Sequence, residues 1–316
     1  MPHEVEVFER FRGRLEAIAY RLLGSAQDAE DAVQDTFLRW QAAERAEIRT
    51  PEAWLTKVLT NLCLNQLASA RVRRESYVGQ WLPEPVLDGD RMLGPAETAE
   101  QRESVSIAML TLMERLTPAE RAVYVLREAF GYPHGEIAEI LDLSEANSQQ
   151  LLRRARQHLA TDRSRVEADA AATREIVEEF LAAALGGEIE PLVKLLTEDA
   201  RGVADGGGEV PARGTPILGA LAIARVLRGA LKPDLAKRFI GGGRIAFYAA
   251  VVNGGPAALV ALDDAGGERI VGVVSLELTP RGIATILIQA NPAKLARLSR
   301  WWAGADRGEP LIENWS

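Results

Sequence analysis

Residues 136–159 read EIAEIL, then DLS, then EANSQQLLRRARQHL, so a short segment and a longer basic one flank a tight turn. Two helices joined by a turn of three or four residues, the second helix being basic, are typical of a helix-turn-helix. On the second helix, Leu152, Ala155 and Leu159 fall on one face and are expected to pack inward. Its other faces carry amides and arginines that suit base edges and phosphates in the major groove: Asn147, Gln149, Gln150, Arg153 and Arg154. An ordinary helix pair with a solvated polar face is the alternative.

Helical patterns also fill the chain before this motif. Apolar residues recur at three- and four-residue steps from Phe8 to Leu22 and from Trp54 to Leu67, which predicts amphipathic helices. The strings Thr50-Pro51-Glu52 and Thr117-Pro118-Ala119-Glu120 each place a capping residue directly before a proline at the first helical position. The sequence up to about residue 165 is therefore expected to be all-α.

Residues 77–102 interrupt the helical pattern and are expected to form a linker. The segment Trp81-Leu82-Pro83-Glu84-Pro85 cannot continue a regular helix, because each proline biases the residue before it toward extended geometry. Gly94-Pro95 adds a turn signal. The chain is therefore predicted to consist of a helical region at residues 1–76, this linker at 77–102 and a second helical region at 103–165. A further domain at 172–300 and a tail at 301–316 follow.

From about residue 172 the composition changes. Two helical segments precede four segments with β character, at residues 244–252, 257–262, 269–278 and 283–289. Turns at Gly254-Gly255, Gly266-Gly267 and Pro280-Arg281-Gly282 separate them, and no helical pattern lies between them, so they are expected to pair as an antiparallel sheet. The second half is therefore predicted to be α+β, and the whole chain multidomain.

Composition excludes several classes of protein. No apolar run approaches the ~18 residues that span a bilayer, and the N-terminus has no signal-peptide pattern. The single Cys63 excludes an internal disulfide, and three histidines far apart in sequence argue against a metal centre. We expect a cytoplasmic protein without a cofactor. The net charge of −8 weakens a nucleic-acid hypothesis, but arginines are concentrated at residues 71–74 and 153–165, where Arg163 and Arg165 extend the second cluster.

The segment AEDAVQDTFL, residues 29–38, is the most specific string in the chain. Taken alone, its acidic residues could simply complement a helix N-terminus. As a string it resembles the region 2 signature of bacterial extracytoplasmic-function (ECF) sigma factors. PEAWL at 51–55 and residues 61–75 resemble the part of region 2 that recognises the promoter −10 element. Thr117–Arg121 and Arg153–Arg156 resemble region 4, which recognises the −35 element, and the order and spacing of these motifs agree across residues 5–160.

Three further strings resemble marks of a subgroup of these sigma factors. They are WLPEP at 81–85, DGGGE at 205–209 and NPAKL at 291–295. They resemble the ECF sigma factors with a fused C-terminal SnoaL-like domain, a group usually called ECF41 or SigJ-like. The resemblance implies an NTF2-like, cone-shaped α+β fold for the second half. The sequence departs from the group at Glu209, where lysine is usual, and at Ala293, where aspartate is usual.

The family resemblance implies a function and the residues that perform it. The chain would bind core RNA polymerase, at the β′ clamp helices and the β flap, and direct promoter-specific initiation. Docking on the clamp helices is expected of Asp31, Gln34, Asp35, Phe37 and Leu38. In the −10 element, Asn61 and Asn65 would contact base edges, and Arg71, Arg73 and Arg74 would contact phosphates. A solvated helix face is the alternative for the two asparagines.

The resemblance also implies that the fused domain regulates the sigma factor in cis, through the linker. The expected residues are Trp81, Leu82, Pro83, Glu84, Pro85, Asp205, Gly206, Gly207, Gly208, Asn291, Pro292 and Lys294. Trp81 would be an apolar side chain seated near the Asp205–Glu209 loop, although the three glycines could also form a merely flexible hairpin turn.

The sequence also fits two other functions. A stand-alone helix-turn-helix regulator would sense a small molecule in the C-terminal pocket. An enzyme of the SnoaL type would need a general acid or base in the C-terminal domain. That domain has no histidine, and turns and caps explain most of its candidate aspartates, which are Asp199, Asp205, Asp234, Asp263 and Asp264. No catalytic residue is therefore expected.

Overall fold

A computed structural model describes residues 2–44, 47–75, 77–94, 98–160, 170–232, 238, 242–305 and 307–315. The chain forms two compact units. The first contains residues 1–76 and 89–161, and the second contains residues 77–88 and 162–316. The predicted helical region 1–76 and residues 103–161 of the predicted region 103–165 thus belong to one unit, and the predicted linker 77–102 is divided between the two.

The first unit is all-α, as predicted. Its helices are α1 (Pro2–Leu23), α2 (Ala26–Ala42), α3 (Pro51–Glu75), α4 (Ala99–Glu103), α5 (Ile107–Leu112), α6 (Pro118–Tyr124), α7 (His134–Leu141) and α8 (Glu145–Leu159). Thr117 and Glu120 form a capping box at the start of α6, with Pro118 in its first turn. The Ser144 hydroxyl accepts a hydrogen bond from the Asn147 amide, which fixes the start of α8.

Two buried arginines join the N-terminal helices to the helices around the helix-turn-helix. The Arg21 guanidinium donates to the Leu93 carbonyl at 2.6 Å and to the Ser104 hydroxyl at 2.8 Å, and burial lowers the pKa of Arg21 to about 10. Arg121 on α6 donates to the Arg21 carbonyl at 3.2 Å and to Glu114 at 2.5 Å. Each arginine therefore satisfies acceptors that lie far away in sequence, and the helices before and after residue 90 share one core.

The second unit is α+β, as predicted. Its helices are α9 (Ala170–Leu185), α10 (Glu190–Leu195), α11 (Ala220–Ala230) and α12 (Pro292–Trp302), and its strands are β1 (Leu196–Asp205), β2 (Ile217–Leu218), β3 (Arg244–Val252), β4 (Gly255–Asp264), β5 (Gly267–Thr279) and β6 (Gly282–Gln289). The sheet order is β2-β1-β6-β5-β4-β3. The last four strands pair antiparallel, as predicted, whereas β1 was not predicted and pairs parallel to β6.

Both faces of this sheet are covered. On one face, α9, α10 and α11 bury a core that includes Phe180, Leu192 and Phe247. On the other face, α12 buries Leu298 and Trp302 together with Leu87 from residues 77–88. The predicted tail 301–316 begins inside α12, and beyond α12 the backbone of Ile312 pairs antiparallel with Phe247 on β3. No helix within the described ranges is long and apolar enough to cross a membrane.

Residues 77–88 are extended and belong to the sheet domain. Val86 exchanges hydrogen bonds with Asn253, through the Val86 amide and the Asn253 side chain at 3.0 Å and through the Asn253 amide and the Val86 carbonyl at 2.9 Å. Asn253 and Gly254 both have positive φ and form the tight β3–β4 turn, one residue earlier than the predicted Gly254-Gly255. The side chains from Leu82 to Leu87 are buried, so this segment is part of the domain's core.

Candidate functional site

The predicted base-contacting residues lie on the solvent face of α8. The inward face buries Ser148, Leu152, Ala155 and Leu159. The predicted contact residues are all exposed: Asn147, Gln149, Gln150, Arg153 and Arg154. This helix can therefore present amides and guanidinium groups to a major groove while its apolar face stays packed on α6 and α7.

Three polar contacts fix α8 and the turn before it. The His134 ring nitrogen Nδ1 lies 2.8 Å from the Ser148 hydroxyl, which joins the first turn of α7 to α8. Lys57 on α3 donates to the Glu139 carbonyl at 2.9 Å and to the Asp142 carboxylate at 2.6 Å. Asp142 is the C-cap of α7, with a φ of 54°. The helix-turn-helix is thus held by one contact between its own two helices, from His134 to Ser148, and by Lys57 of α3 at its turn.

The predicted polymerase-docking residues form an exposed stripe on α2. Asp31, Gln34, Asp35 and Leu38 are exposed, and Leu38 has 53% of its surface accessible. Their spacing places them on one side of the helix. Phe37 differs from the others, because its ring packs against Phe8 with 4.8 Å between centroids and is half-buried. Phe37 therefore takes part in packing between α1 and α2, and its docking on polymerase stays a prediction.

The predicted −10 residues lie on α3. Asn65 is exposed and Asn61 is half-buried, one helical turn apart. Arg71, Arg73 and Arg74 belong to the last two turns of α3, but their side chains lie outside the described residues, as do Arg163 and Arg165.

The three strings WLPEP, DGGGE and NPAKL meet at one site, which we call the linker-docking site: residues 77–82, Asp205–Gly208, and Gln289 with Asn291–Lys294. Asp205 is fully buried and lies at its centre. Its carboxylate accepts hydrogen bonds from the Tyr77 hydroxyl at 2.6 Å, the Leu82 amide at 2.9 Å and the Gly207 amide at 3.0 Å. The Lys294 ammonium donates to the same carboxylate at 2.6 Å. These four donors offset much of the cost of burying the carboxylate.

Lys294 connects this carboxylate to the linker backbone and to two aromatic rings. Its ammonium also donates to the Leu82 carbonyl at 2.7 Å. It lies 4.5 Å from the centroid of the Trp81 ring and 4.8 Å from that of Tyr77, distances typical of cation–π contacts. Trp81 thus lies near the Asp205 loop, as expected, and the residue that its ring contacts is Lys294.

Two amides complete the site. Gln289, the last residue of β6, donates to the Pro83 carbonyl at 3.2 Å. Asn291 caps α12 through a bond from the Ala293 amide at 3.0 Å, and its side-chain amide donates to the Tyr77 hydroxyl at 2.8 Å. Pro292 occupies the first turn of α12, where a missing amide proton costs nothing.

The glycines of the DGGGE loop are required by close contacts. A Cβ atom on Gly206 would overlap the Val210 carbonyl, and one on Gly207 would overlap the Asn291 side chain. Gly207 and Gly208 also have φ of +64° and +81°, which side-chain-bearing residues rarely adopt. The loop is therefore a tight turn pressed against Asn291, rather than a flexible hairpin. Glu209 is exposed beside it.

The candidate catalytic aspartates have structural contacts or are exposed. Asp205 binds Tyr77, Leu82 and Lys294 in the linker-docking site. Asp263 forms an ion pair with Arg244, and Asp264 accepts hydrogen bonds from the Gly266 amide and from the Arg269 guanidinium. Asp199 is exposed, and Asp234 lies outside the described residues. Among the residues that the structure describes, no group of histidine, cysteine and carboxylate side chains could hold a metal ion.

Sequence reasoning missed Tyr77 and Gln289. Tyr77 lies four residues before the tryptophan that marked the linker, and Gln289 is the last residue of the predicted strand 283–289. Their proximity to the predicted motifs was the available signal, but their partners lie more than 80 residues away along the chain.

Comparison with known proteins gives matches along most of the chain. Residues 7–73 match the family model Sigma-70 region 2, and residues 106–159 match Sigma-70, region 4. The chain is 35% identical over 295 residues to the ECF RNA polymerase sigma factor SigJ of Mycobacterium tuberculosis, covering 92% of this chain and 93% of the relative. It is 31% identical over 291 residues to a probable ECF RNA polymerase sigma factor, SigI, of the same species, covering 90% and 92%.

A solved structure is similar over the same extent. The crystal structure of M. tuberculosis SigJ aligns with a TM-score of 0.71 at 31% identity, and the alignment covers 92% of this chain and 98% of that one. The similarity therefore includes the C-terminal α+β domain as well as the helical regions.

Proposed function

The chain belongs to the ECF RNA polymerase sigma factors, and on that premise we propose which of its surfaces bind polymerase and promoter DNA and how its C-terminal domain acts on them. A sigma factor binds core RNA polymerase and directs transcription initiation. The site of action is then the cytoplasm, where bacterial polymerase works.

The exposed stripe of α2 is proposed to dock on the β′ clamp helices. Asp31, Gln34, Asp35 and Leu38 combine charge, an amide and an exposed apolar side chain on one face, which a partner can bury without disturbing the core of α1 and α2. Exposed apolar residues rimmed by polar ones are typical of protein interfaces. Region 4 is proposed to contact the β flap, as in its family.

Promoter recognition is proposed for α3 and α8. Asn61, Asn65 and the arginines at 71–74 would contact the −10 strand, and the exposed face of α8 would contact the −35 major groove. The net charge of −8 agrees with weak DNA binding by the free protein. Specific binding would then need core polymerase to hold α3 and α8 against their two promoter elements at the same time.

The linker-docking site is proposed to be the means by which the C-terminal domain regulates the sigma factor. The observation that carries this proposal is the bond from the Leu82 amide to the buried Asp205, since it inserts a segment between regions 2 and 4 into the core of the C-terminal domain. A role as a non-catalytic regulator agrees with the structural use of Asp205, Asp263 and Asp264 described above.

Run-off transcription tests this proposal directly. Core polymerase would be combined with the full-length protein, with Trp81→Ala, or with Trp301→Ala, which removes an exposed tryptophan from α12 of the same domain. We expect wild-type protein and Trp301→Ala to give the same promoter-specific transcripts, and Trp81→Ala to give several-fold less. Equal yields from all three would exclude regulation through this site.

The same experiment separates the sigma function from a stand-alone regulator. A ligand-sensing regulator would footprint duplex DNA without polymerase and would direct no initiation in any variant. On the face of the sheet covered by α9 to α11, Phe180 and Phe247 are buried in the core, and a cavity of about 560 Å³ lined by Leu196, Leu218 and Ala220 is where such a regulator would bind its ligand.

A further inference from the structure

A small cavity lies over one end of the sheet, on the same face as α12. Its volume is about 260 Å³, and Ala246 on β3 and Ala261 on β4 both line it. These two alanines are directly paired across the strands, so their side chains lie next to each other on that face. Larger side chains at these positions would fill the space. The cavity shares no lining residue with the larger one near Leu196 and Leu218.

The chain after α12 forms one wall of this cavity. The Phe247 amide donates to the Ile312 carbonyl at 2.9 Å, and the Trp315 amide donates to the Ile245 carbonyl at 2.9 Å. Glu313 lies between these two contacts and lines the cavity. Backbone bonds to β3 therefore hold this wall in place before any ligand binds, and a site that is already ordered loses less affinity to the cost of ordering.

An ion pair and an aromatic ring form a second part of the lining. The Arg307 guanidinium pairs with Glu268 and lies 5.7 Å from the centroid of the Trp302 ring. Trp302 packs edge-on against Tyr248, which also lines the cavity, with 4.9 Å between the ring centroids. Arg307 is thus occupied by contacts within the protein. Tyr248 adds an aromatic surface to the apolar surface of the two alanines.

Two lining groups of opposite charge remain available to a ligand. Arg244 bonds to Asp263 through Nη2 at 2.5 Å, and its other guanidinium nitrogens have no partner among the described residues. The Glu313 carboxylate likewise has no ion pair or hydrogen bond within the described chain. Unused guanidinium donors suit a carboxylate, and an unpaired carboxylate suits an ammonium group. The cavity therefore offers one site for each charge of a zwitterion, beside an apolar surface.

The volume limits the size of that zwitterion. Sites for drug-sized ligands usually enclose roughly 300–1,000 Å³, so this cavity suits a smaller molecule. We propose that it binds a free amino acid with an apolar side chain. The carboxylate of the ligand binds Arg244 and its ammonium group binds Glu313, while its side chain lies over the two alanines and against Tyr248. The inference goes beyond the proposed function, because this binding needs neither polymerase nor DNA.

Titration calorimetry on the full-length protein tests the ligand class. The probes are L-alanine, L-valine, L-leucine, L-methionine and L-phenylalanine, and the tightest binder is compared with its two analogues that lack the amino group or the carboxylate. We expect at least one amino acid to bind with a Kd below about 1 mM. Each analogue should bind at least roughly tenfold more weakly, because it loses a charge-assisted contact. If no probe binds, or if either analogue binds as tightly as the amino acid, the inference is overturned.

Charge-neutralising substitutions place the ligand in this cavity. Arg244→Gln and Glu313→Gln should each weaken binding by roughly tenfold. Their controls are Arg269→Gln, which breaks an ion pair with Asp264 outside the cavity, and Glu309→Gln, which changes an exposed carboxylate on the same C-terminal segment. Both controls should bind like the wild type. If neither site variant weakens binding, or if the controls weaken it equally, the inference is overturned.

Filling the cavity gives a further check. Ala246→Leu places a larger side chain in the space that the ligand would occupy, and it should abolish binding. Binding that survives this substitution takes place elsewhere and overturns the inference. If Ala246→Leu does not fold, Arg244→Gln and Glu313→Gln decide the question, because both side chains are exposed and their loss leaves the core unchanged.

Discussion

Glu128 and Arg156 form an ion pair at 2.9 Å that joins the turn of π-helix after α6 to the C-terminal half of α8. The Glu128 side chain is largely buried and the Arg156 side chain is 60% exposed. Arg156 lies in the basic run of the recognition helix, but its guanidinium is directed to its own domain.

This pairing predicts different roles for neighbouring arginines of α8. Arg153→Ala should lower the slope of log affinity against log salt for −35 duplex by about 1, because one phosphate contact is lost. Arg156→Ala should leave the slope unchanged, since its charge is held by Glu128. Fluorescence anisotropy of holoenzyme on labelled duplex at several salt concentrations measures both. A reduced slope for Arg156→Ala would show that the ion pair opens on DNA.

The Asp205–Lys294 pair predicts a large loss of stability when one partner is removed. Asp205→Asn leaves the Lys294 ammonium buried without a counter-charge, and the free energy of unfolding of the second unit should fall by about 3–5 kcal/mol. Asp263→Asn breaks the more exposed pair with Arg244 and should cost at most about 1 kcal/mol. Urea unfolding followed by tryptophan fluorescence compares them. Combining Asp205→Asn with Lys294→Met should recover part of the loss; no recovery would place the effect in the Tyr77 and Leu82 bonds.

The DGGGE loop predicts a difference between two glycines of similar backbone conformation. Gly207→Ala adds the strain of a positive φ, about 1–2 kcal/mol, and also forces Asn291 to move. Gly254→Ala adds similar strain at a φ of +70°, where no atom lies near the added Cβ. Gly207→Ala should therefore lower the melting temperature more than Gly254→Ala does. Equal shifts would mean that the loop relaxes away from Asn291 at no cost.

The exposed stripe of α2 predicts that polymerase affinity and stability can be separated. Leu38→Ala and Asp35→Ala should weaken binding to core polymerase, each by about 1 kcal/mol or more if they lie near the centre of the interface, with little change in unfolding. Phe37→Ala should instead destabilise the first unit, because its ring packs on Phe8. Competition for core polymerase and thermal unfolding distinguish these effects. If Phe37→Ala weakens polymerase binding and leaves stability unchanged, Phe37 contacts polymerase directly.

The buried position of Cys63 predicts that its thiol is unreactive in the folded protein. Its side chain has no accessible surface, and burial raises the pKa of the thiol, so the reactive thiolate is scarce at neutral pH. A chromogenic disulfide reagent should react with no more than a trace of the native chain, and with one equivalent after denaturation. Rapid reaction of the native protein would reveal local opening of α3.

Local signals in the sequence predicted those helices and strands whose ends are set by residues next to them in the chain. α8 begins after Ser144 and ends at Leu159 as predicted, because a capping hydroxyl and a regular apolar period define it. The β3 to β6 strands were found because short turns connect them. β1 was missed, since a register shift between Leu196 and Arg201 disrupts the alternation that would have marked it, and its partner β6 lies about 80 residues later.

The candidate site shows the same difference between local and long-range features. The strings around Trp81, Asp205 and Asn291 were predicted through family resemblance, but their contacts depend on the tertiary structure. Nothing local identifies Lys294 as the ammonium that lies against both aromatic rings, or Tyr77 as the donor to Asp205. The contact of Phe37 with Phe8 was not predicted for a related reason, since an aromatic residue on a helix gives no sign of which neighbour covers it.

The insertion of residues 82–87 into the core of the second unit has a consequence for protein synthesis. The ribosome completes this apolar segment long before it makes Asp205, Gln289 and Lys294, the residues that will cover and bond it. From residue 159 onward the nascent chain carries both sigma regions, while Leu82, Val86 and Leu87 are still uncovered. Translation therefore finishes the region 2 and region 4 helices before it makes the residues that bury this segment, so the contacts of the linker-docking site form last.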